Sequence, residues 1–274
     1  MNVDPNYPTL KKSDIKGLEL KDRGKVRDIY TRNNLELLLV TTDRISTHDV
    51  VYDQCIPHKG FGLTQTTIYA FDKTGNIVEN HLISSPDPNV MLVRKGEVYP
   101  VEVIVRGILT GSAWKKYQKG EDVCGIKIPK GMKKNQAFDK PIVTPTTKAI
   151  VGHDENITHA QARELIGPVW DEIARLAVEL FERGNYMAAQ QGGMLADTKF
   201  EFGKVPGYTD IMLFDEILNH DSSRFLNTED WEICLEAGVD PDWIDKQLVR
   251  NYAESPHSSD SWLFFHHLVA LLGL

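Results

Sequence analysis

The sequence LADTKFEFG, residues 195–203, precedes a turn and a second run, FDEILNHDSSRF, at residues 214–225. Because side chains alternate between the two faces of a β-strand, Asp197, Lys199 and Glu201 are predicted to share one face of the first strand. Charges at this density among apolar residues are costly to bury unless something binds them. The two runs therefore predict a hairpin that carries a ligand site.

Carboxylates on the two runs indicate a site for magnesium and a nucleotide. Glu201 on one strand and Asp215 on the next can hold one hard cation, with a phosphate completing its coordination shell. Lys199 on the same face can supply a positive charge for a phosphate oxygen. The alternative is a hairpin with a solvated polar face, but the hydroxyl-rich cluster from Asp221 to Arg224 favours a ligand.

The composition is that of a soluble globular protein. The 274 residues suffice for one large domain or two modest ones, and a net charge of -8 argues against a nucleic-acid-binding protein that works through bulk charge. Three widely separated cysteines fit a reducing cytoplasm, and residues 1–20 lack the apolar core of a signal peptide. The apolar stretch 262–274 is too short to span a bilayer and predicts a core or interface helix. We therefore expect a cytoplasmic protein.

Hydrophobic periodicity and turn residues predict the order of the elements. Predicted strands are three short segments between residues 16 and 40, followed by 90–94 and 101–109. Predicted helices are 63–72, 110–117, 158–191 with a break at Gly167-Pro168, 229–237, 241–252 and 261–272. Residues 41–49 are predicted to form a polar loop, and residues 119–151 a long functional connection.

This order predicts an α+β fold in two lobes, with mostly antiparallel sheets and helices. We expect an N-terminal, mostly antiparallel β lobe over residues 1–110. A C-terminal α+β lobe with the closing helices is expected over residues 111–274. A nucleotide is expected in the cleft between the lobes, where ligands commonly bind.

Three basic residues and one serine suit anionic ligands. Lys25 and Arg27 lie in a glycine-containing turn that can cover a polyphosphate, although an ordinary charged hairpin explains them as well. Arg106 in an apolar strand needs an anionic partner. Ser112 at the start of a helix is a good N-cap, and the same position can bind a phosphate or carboxylate.

The predicted loop 41–49 offers both signs of charge. Asp43 and Arg44 can pair with each other, or they can order a small zwitterion, because loops at strand ends commonly meet ligands. His81 and His220 lie among turn residues and predict no functional role.

Taken together, these segments resemble the SAICAR synthetase family. The matching segments follow the family's order across most of residues 24–252: GKVRDIY (24–30), LLVTTDRISTHDVV (38–51), LTQTT (63–67), NHLI (80–83), PVEVIVRGILTGSAWKKYQ (100–118), CGIKIP (124–129), TPTTKA (144–149), GHDENIT (152–158), LADTKFEFG (195–203), DEILNHDSSRF (215–225) and DKQLVRNY (245–252). The chain departs from the family pattern at Thr47-His48, where Ala-Phe is expected, and at Asn219-His220, where Thr-Pro is usual.

The resemblance implies an ATP-dependent ligase of purine biosynthesis. Such an enzyme joins L-aspartate to the carboxylate of carboxyaminoimidazole ribotide (CAIR), giving SAICAR, ADP and phosphate through an acyl phosphate. It implies ATP as co-substrate, Mg²⁺ as cofactor, and partners that are small molecules rather than nucleic acid or membrane. The resemblance leaves the oligomeric state open between monomer and homodimer.

The resemblance also implies roles for individual residues. Those that would bind ATP are Lys25, Arg27, Lys199, Glu201 and Asp215, of which Glu201 and Asp215 would hold Mg²⁺. Those that would bind the ribotide are Arg106, Ser112, Asp221, Ser223 and Arg224. Looser candidates for ordering the aspartate are Asp43, Arg44, Ser46 and Lys148. The implied catalytic residues are Lys199 and Arg224.

Two rival functions are compatible with parts of the sequence. Inositol polyphosphate kinases carry an Asp-x-Lys signature that Asp197 and Lys199 match, but the ribotide-side segments 105–112 and 221–224 argue against a kinase. The other rival is a non-catalytic nucleotide-binding protein derived from the synthetase. The presence of every proposed metal and phosphate ligand argues against it.

Overall fold

Two five-stranded antiparallel sheets and a separate two-stranded sheet, with helices packed against them, make up the described part of the chain. The computed structural model describes residues 8–47, 50–148, 154–208 and 211–244. Paired strands within each sheet run antiparallel, which confirms the predicted α+β fold. None of the helices in this part of the chain combines the length and apolarity needed to cross a membrane.

The first sheet belongs to the N-terminal lobe. Its strands are β1 (Glu19–Arg23), β2 (Arg27–Thr31), β3 (Glu36–Thr41), β6 (Leu82–Asp87) and β7 (Val90–Arg94), hydrogen-bonded in the order β1-β2-β3-β7-β6. A separate two-stranded sheet pairs β4 (Arg44–Thr47) with β5 (Val50–Cys55). Helix α1 (Lys59–Thr74) packs against β3 with a helical stripe that includes Leu63, Ala70 and Phe71.

The second sheet contains segment 195–203 and both ends of segment 214–225. Its strands are β8 (Glu97–Ile108), β9 (Ala137–Thr147), β10 (Gly193–Lys204), β11 (Met212–Phe214) and β12 (Ser223–Asn227). One edge of β10 pairs with β8, while the other pairs with β12 along its first half and with β11 along its second half. Residues 215–222 therefore leave the sheet between β11 and β12, and we call this segment the 215–222 loop.

Four further helices surround the second sheet: α2 (Gly111–Gln118), α3 (His159–Ile166), α4 (Val169–Ala189) and α5 (Trp231–Ala237). Helix α4 buries Ile173, Ala177 and Leu180 against the sheet at the spacing expected for an amphipathic helix. The predicted break between α3 and α4 is confirmed, because Gly167 takes a left-handed φ of 78° and Pro168 precedes the first turn of α4.

Several element predictions were wrong. The predicted loop 41–49 contains β4, and the predicted connection 119–151 contains β9, which pairs with β8. The predicted hairpin is present as β10 and β11, but its second run leaves the sheet after Phe214 and returns to the same edge of β10 as β12. Residues 241–244 are not helical, because Trp243 forms a bridge with Leu226. The remainder of that predicted helix, 245–252, and the predicted helix 261–272 lie outside the described residues.

The predicted lobe boundary at residue 110 stays a prediction. Strand β8 precedes residue 110 in the chain but pairs with β9 and β10, which follow it. The second sheet therefore draws strands from both sides of that position.

Candidate functional site

Two adjoining cavities bring the predicted site residues together. The first, about 780 Å³ in volume, lies between the two sheets, and we call it the interlobe cavity. The second, about 680 Å³, lies against β8, β10 and α2, and we call it the second cavity. Lys199, Asp221 and Ser222 line both, so the two cavities meet at this shared wall.

The interlobe cavity has an apolar part and a charged part. The apolar lining residues are Ile29, Leu37, Leu39, Val93, Val98 and Phe214. The charged lining residues include Lys25, Arg27, Lys148, Lys199, Glu201, Asp215 and Glu216. An apolar slot that ends in fixed charges suits a ligand with a flat ring at one end and anionic groups at the other.

Lys199 is held between carboxylates of the second sheet. Its Nζ lies 2.7 Å from Glu102 Oε1 and 3.0 Å from Glu201 Oε1. Burial alone would lower the pKa of Lys199, but Glu201 and Glu102 outweigh it and raise that pKa above its ordinary value. The lysine is therefore a fixed positive charge at the shared wall.

Glu201 and Asp215 are the two proposed metal ligands; Glu201 lies on β10, and Asp215 is the first residue of the loop that follows β11. Phe214 pairs with Glu201 in the β10–β11 ladder, so Asp215 stands one residue beyond that pair. Arg27 forms ion pairs with Asp215 and Glu216, and Lys148 forms one with Glu201. Burial would raise the pKa of Asp215, but Arg27 and other nearby cations lower it below its ordinary value.

The donor set fits a hard cation. Glu201 and Asp215 are ionisable oxygen ligands in one cavity lining, and Mg²⁺ is commonly held by one or two carboxylates together with substrate phosphates. Within the described ranges, no group of three or more His, Cys, Asp and Glu side chains could hold a metal by itself.

The second cavity is built around one carboxylate that binds two guanidinium groups. Asp197 Oδ2 lies 3.1 Å from Arg106 Nη1, and Asp197 Oδ1 accepts a hydrogen bond from Arg224 Nε at 2.9 Å. Arg106 also donates to Ser112 Oγ at 3.2 Å. Burial lowers the pKa of Arg106, and Asp197 partly offsets that effect. Two guanidinium groups facing one carboxylate leave a surplus of positive charge for an anionic ligand.

A glycine makes room for one of these guanidinium groups. A Cβ added to Gly111 would lie 2.4 Å from Arg224 Nη1, and Gly111 has a left-handed φ of 56°. Both observations require glycine at this position.

The shared wall is held in place from both lobes. Lys59 Nζ, at the start of α1, lies 2.8 Å from Asp221 Oδ2, and both side chains are buried. Ser223 Oγ lies 2.8 Å from Thr198 Oγ1, and the main-chain N–H of Lys199 donates to Ser222 O at 3.0 Å. These contacts fix the position of the 215–222 loop against β10.

Two predicted site residues have structural partners instead. Asp43 accepts hydrogen bonds from the main-chain N–H groups of Leu10 and Gly60, at 2.8 and 2.9 Å. Arg44 donates to Asp28 at 2.9 Å and to main-chain oxygens of its own lobe. Neither residue lines the two cavities, and their role in ordering a zwitterion stays a prediction. Ser46 and Lys148 do line the interlobe cavity.

Sequence reasoning missed residues that support the site. The sequence could have indicated Glu102, because it is a charged residue inside an apolar predicted strand, as Arg106 is. His81 lines the interlobe cavity and is only 3% exposed, its ring 5.0 Å from that of Phe214. Burial lowers the pKa of His81 to about 4, so the ring is neutral at physiological pH. Asn219 gave no signal beyond its departure from the family pattern.

Comparisons with known proteins agree with this geometry. The family model described as SAICAR synthetase matches residues 20–261. Proteins named phosphoribosylaminoimidazole-succinocarboxamide synthase from Maridesulfovibrio salexigens and Saccharomyces cerevisiae are each 42% identical, over 88% and 89% of this chain and 84% and 87% of their own.

Solved structures show the same likeness. The SAICAR synthase of Saccharomyces cerevisiae complexed with SAICAR superposes with a TM-score of 0.81 at 37% identity, covering 97% of this chain and 98% of that one. A SAICAR synthetase in complex with ADP has a TM-score of 0.70 at 23% identity, covering 93% and 97%, and demonstrates likeness of fold.

Proposed function

The chain belongs to the SAICAR synthetase family, and from that premise we propose which of its residues carry out each part of the reaction. It is an ATP-dependent ligase of purine biosynthesis that joins L-aspartate to the carboxylate of CAIR, giving SAICAR, ADP and phosphate. The observation that supports the assignment most strongly is that Lys199 lines both cavities.

The reaction needs ATP because a carboxylate is a poor acyl donor. A CAIR carboxylate oxygen attacks the γ-phosphorus of ATP, forming an acyl phosphate and releasing ADP. The aspartate amine then attacks the acyl carbon, the C–O bond to phosphate breaks, and the amine loses a proton. Positioning and neutralisation of charge account for most of the rate in such a reaction.

ATP binds in the interlobe cavity, with its base in the apolar part and its phosphates toward the charged part. Lys25 and Arg27 cover the phosphates, and both are in the cavity lining. Arg27 already binds two carboxylates there, so bound phosphates would share or replace those partners.

Glu201 and Asp215 are the residues that would hold Mg²⁺. The ion would supply positive charge to neutralise the phosphates of the nucleotide. Arg27 and Lys148 form ion pairs with these carboxylates and hold both side chains in place.

CAIR binds in the second cavity with its carboxylate at the shared wall. Arg106, Ser112 and Ser223 bind the ribotide, and the positive charge of Arg106 suits its phosphate. Arg224 grips the phosphate or the carboxylate, and Asp221 orients polar groups of the ribotide. Lys199 stabilises the negative charge on the CAIR carboxylate oxygen and on the phosphoryl group as that group is transferred from ATP to this oxygen.

Ser46 and Lys148 are the candidates for binding aspartate, since both line the interlobe cavity. We propose a cytoplasmic enzyme that acts on small molecules, with no nucleic-acid or membrane partner, as a monomer or a homodimer.

The proposed function is tested by measuring ADP release from the purified protein with Mg²⁺ and CAIR, with and without L-aspartate. We expect ADP release that depends on aspartate and is accompanied by SAICAR absorbance. ADP release without ribotide and aspartate would indicate another phosphotransfer reaction. Binding of Mg²⁺-ATP without turnover would indicate a non-catalytic descendant of the family.

A further inference from the structure

Asn219 is a buried side chain in the 215–222 loop whose amide is hydrogen-bonded at both ends. It is 0% exposed and lines neither cavity. An amide group offers two donors on nitrogen and an acceptor oxygen with two lone pairs. In this loop the amide nitrogen and the amide oxygen of Asn219 both form hydrogen bonds, and their partners within the loop lie at opposite ends of the segment.

The donor end contacts the nucleotide side of the site. Asn219 Nδ2 donates to Glu216 Oε2 at 2.6 Å and to Thr67 Oγ1 of α1 at 3.0 Å. Glu216 lines the interlobe cavity and is the ion-pair partner of Arg27. The amide nitrogen therefore fixes a carboxylate that in turn orients the arginine proposed to cover the ATP phosphates.

The acceptor end organises the wall between the cavities. Asn219 Oδ1 accepts hydrogen bonds from the main-chain N–H groups of Asp221 and Ser222, each at 3.0 Å. Both residues line both cavities. The main-chain oxygen of Ser222 then accepts from the N–H of Lys199, which joins the turn to the residue at the centre of the site.

The backbone between these two ends is strained. Asp215 and Leu218 have left-handed φ values of 60° and 52°, which residues other than glycine rarely adopt. Such conformations persist only when surrounding contacts impose them, and they cluster at functional sites. Asn219 supplies contacts at both ends of this strained segment.

We propose that Asn219 is a positioning residue that sets the spacing between the nucleotide and the acceptor carboxylate across the shared wall. It acts through Glu216 on one side and through the Asp221–Ser222 turn on the other. This inference rests on the proposed function, since it assigns ATP and CAIR to the two cavities. Loss of the amide nitrogen should misplace the acyl phosphate relative to the aspartate amine, so that water competes for the intermediate.

The test compares Asn219→Asp and Asn219→Thr with Thr67→Val in the full chain. Asn219→Asp keeps the acceptor oxygen but removes both donors and sets a carboxylate against Glu216. Asn219→Thr keeps one oxygen without adding charge. Thr67→Val removes the contact to α1 and leaves the contact between Asn219 and Glu216 in place, so it is the matched control.

We expect both Asn219 variants to lower turnover at saturating substrates by about tenfold to a hundredfold, the usual effect of misplacing reacting groups. ADP formed should exceed SAICAR formed in these variants, while Thr67→Val should lower the melting temperature and keep the two products equal. A loss of stability with equal ADP and SAICAR in all three variants would overturn the inference. If the wild-type protein shows no aspartate-dependent ADP release with CAIR, the proposed function fails first, and the inference falls with it.

Discussion

Asp215 follows the ladder partner of Glu201 directly, because Glu201 on β10 pairs with Phe214, the last residue of β11. Both carboxylates line the interlobe cavity, and both have cationic partners. The arrangement places two oxygen ligands where the phosphates of a nucleotide would end. It is the basis of the metal assignment.

Asp215→Asn should lower turnover about a hundredfold and raise the Mg²⁺ concentration needed for half-maximal rate, because a charged ligand is lost. Glu102→Gln is the informative comparison, since Glu102 contacts Lys199 but does not line either cavity. It should lower turnover without changing the Mg²⁺ requirement. An unchanged Mg²⁺ dependence and turnover in Asp215→Asn would remove this residue from the metal site.

Arg106→Ala should raise the KM for CAIR by about tenfold to a hundredfold, as expected for loss of a charge-assisted contact to an anion. The KM for ATP should change far less, because Arg106 lines only the second cavity. Arg163→Ala, which removes an exposed ion pair with Asp171, is the control and should alter neither constant. Equal increases in both constants for Arg106→Ala would contradict the ribotide assignment.

Gly111→Ala should raise the KM for CAIR because the new methyl group displaces the guanidinium of Arg224. Gly120→Ala provides the matched control: Gly120 also has a left-handed φ, 72°, but a Cβ there would meet nothing within 4 Å. Both variants should lose about 1 kcal/mol of stability from backbone strain. Only Gly111→Ala should change the kinetics, so identical steady-state constants for the two variants would argue against a role for the position of Arg224.

Asp28→Asn should destabilise the protein in a pH-dependent way. Asp28 is fully buried and accepts hydrogen bonds from Ser13 and Arg44. Burial alone would raise its pKa, but the bonds from Ser13 and Arg44 lower that pKa below its ordinary value. Because the pKa of Asp28 is lower in the folded state, its carboxylate stabilises the folded protein fully at any pH above the unfolded-state pKa of about 3.9. This stabilisation decreases below that pH and is lost as the pH falls through the folded-state pKa.

Urea unfolding at several pH values measures this effect. Near neutral pH, Asp28→Asn should cost about 3–5 kcal/mol, the usual result of breaking a buried ion pair. The difference from wild type should begin to narrow below about pH 4, where the Asp28 carboxylate of the unfolded chain takes up a proton while that of the folded protein stays ionised. Asp53→Asn, at an exposed ion pair with Lys11, should have little effect at any pH. A constant difference across the range would contradict the role assigned to the charge of Asp28.

Local sequence patterns predicted much of the fold and the centre of the site. Alternation in 195–203 predicted β10 and the common face of Lys199 and Glu201, and both residues line the interlobe cavity. The patterns failed where pairing depends on distant residues. Strand β9 lies in a segment rich in Gly, Pro and Lys, and its ladder with β8 joins residues about forty positions apart.

The hydrogen-bond partners of individual side chains also depend on distant residues. Asp43 and Arg44 have the charges that a zwitterion needs, but the fold directs them toward main-chain groups of their own lobe. Asn219 shows the reverse case, in which an ordinary loop residue gains a role from partners on α1 and on its own loop. Local sequence gives the chemistry of a side chain, whereas its partners follow from the tertiary fold.

The central claim is that a carboxylate in the second cavity receives the γ-phosphoryl group of ATP across the shared wall. CAIR labelled with oxygen-18 in its carboxylate tests this most directly, with the released phosphate analysed by mass spectrometry after a single turnover. Passage through an acyl phosphate predicts that each phosphate carries one oxygen atom from the carboxylate. Unlabelled phosphate, formed together with SAICAR and ADP, would contradict the account.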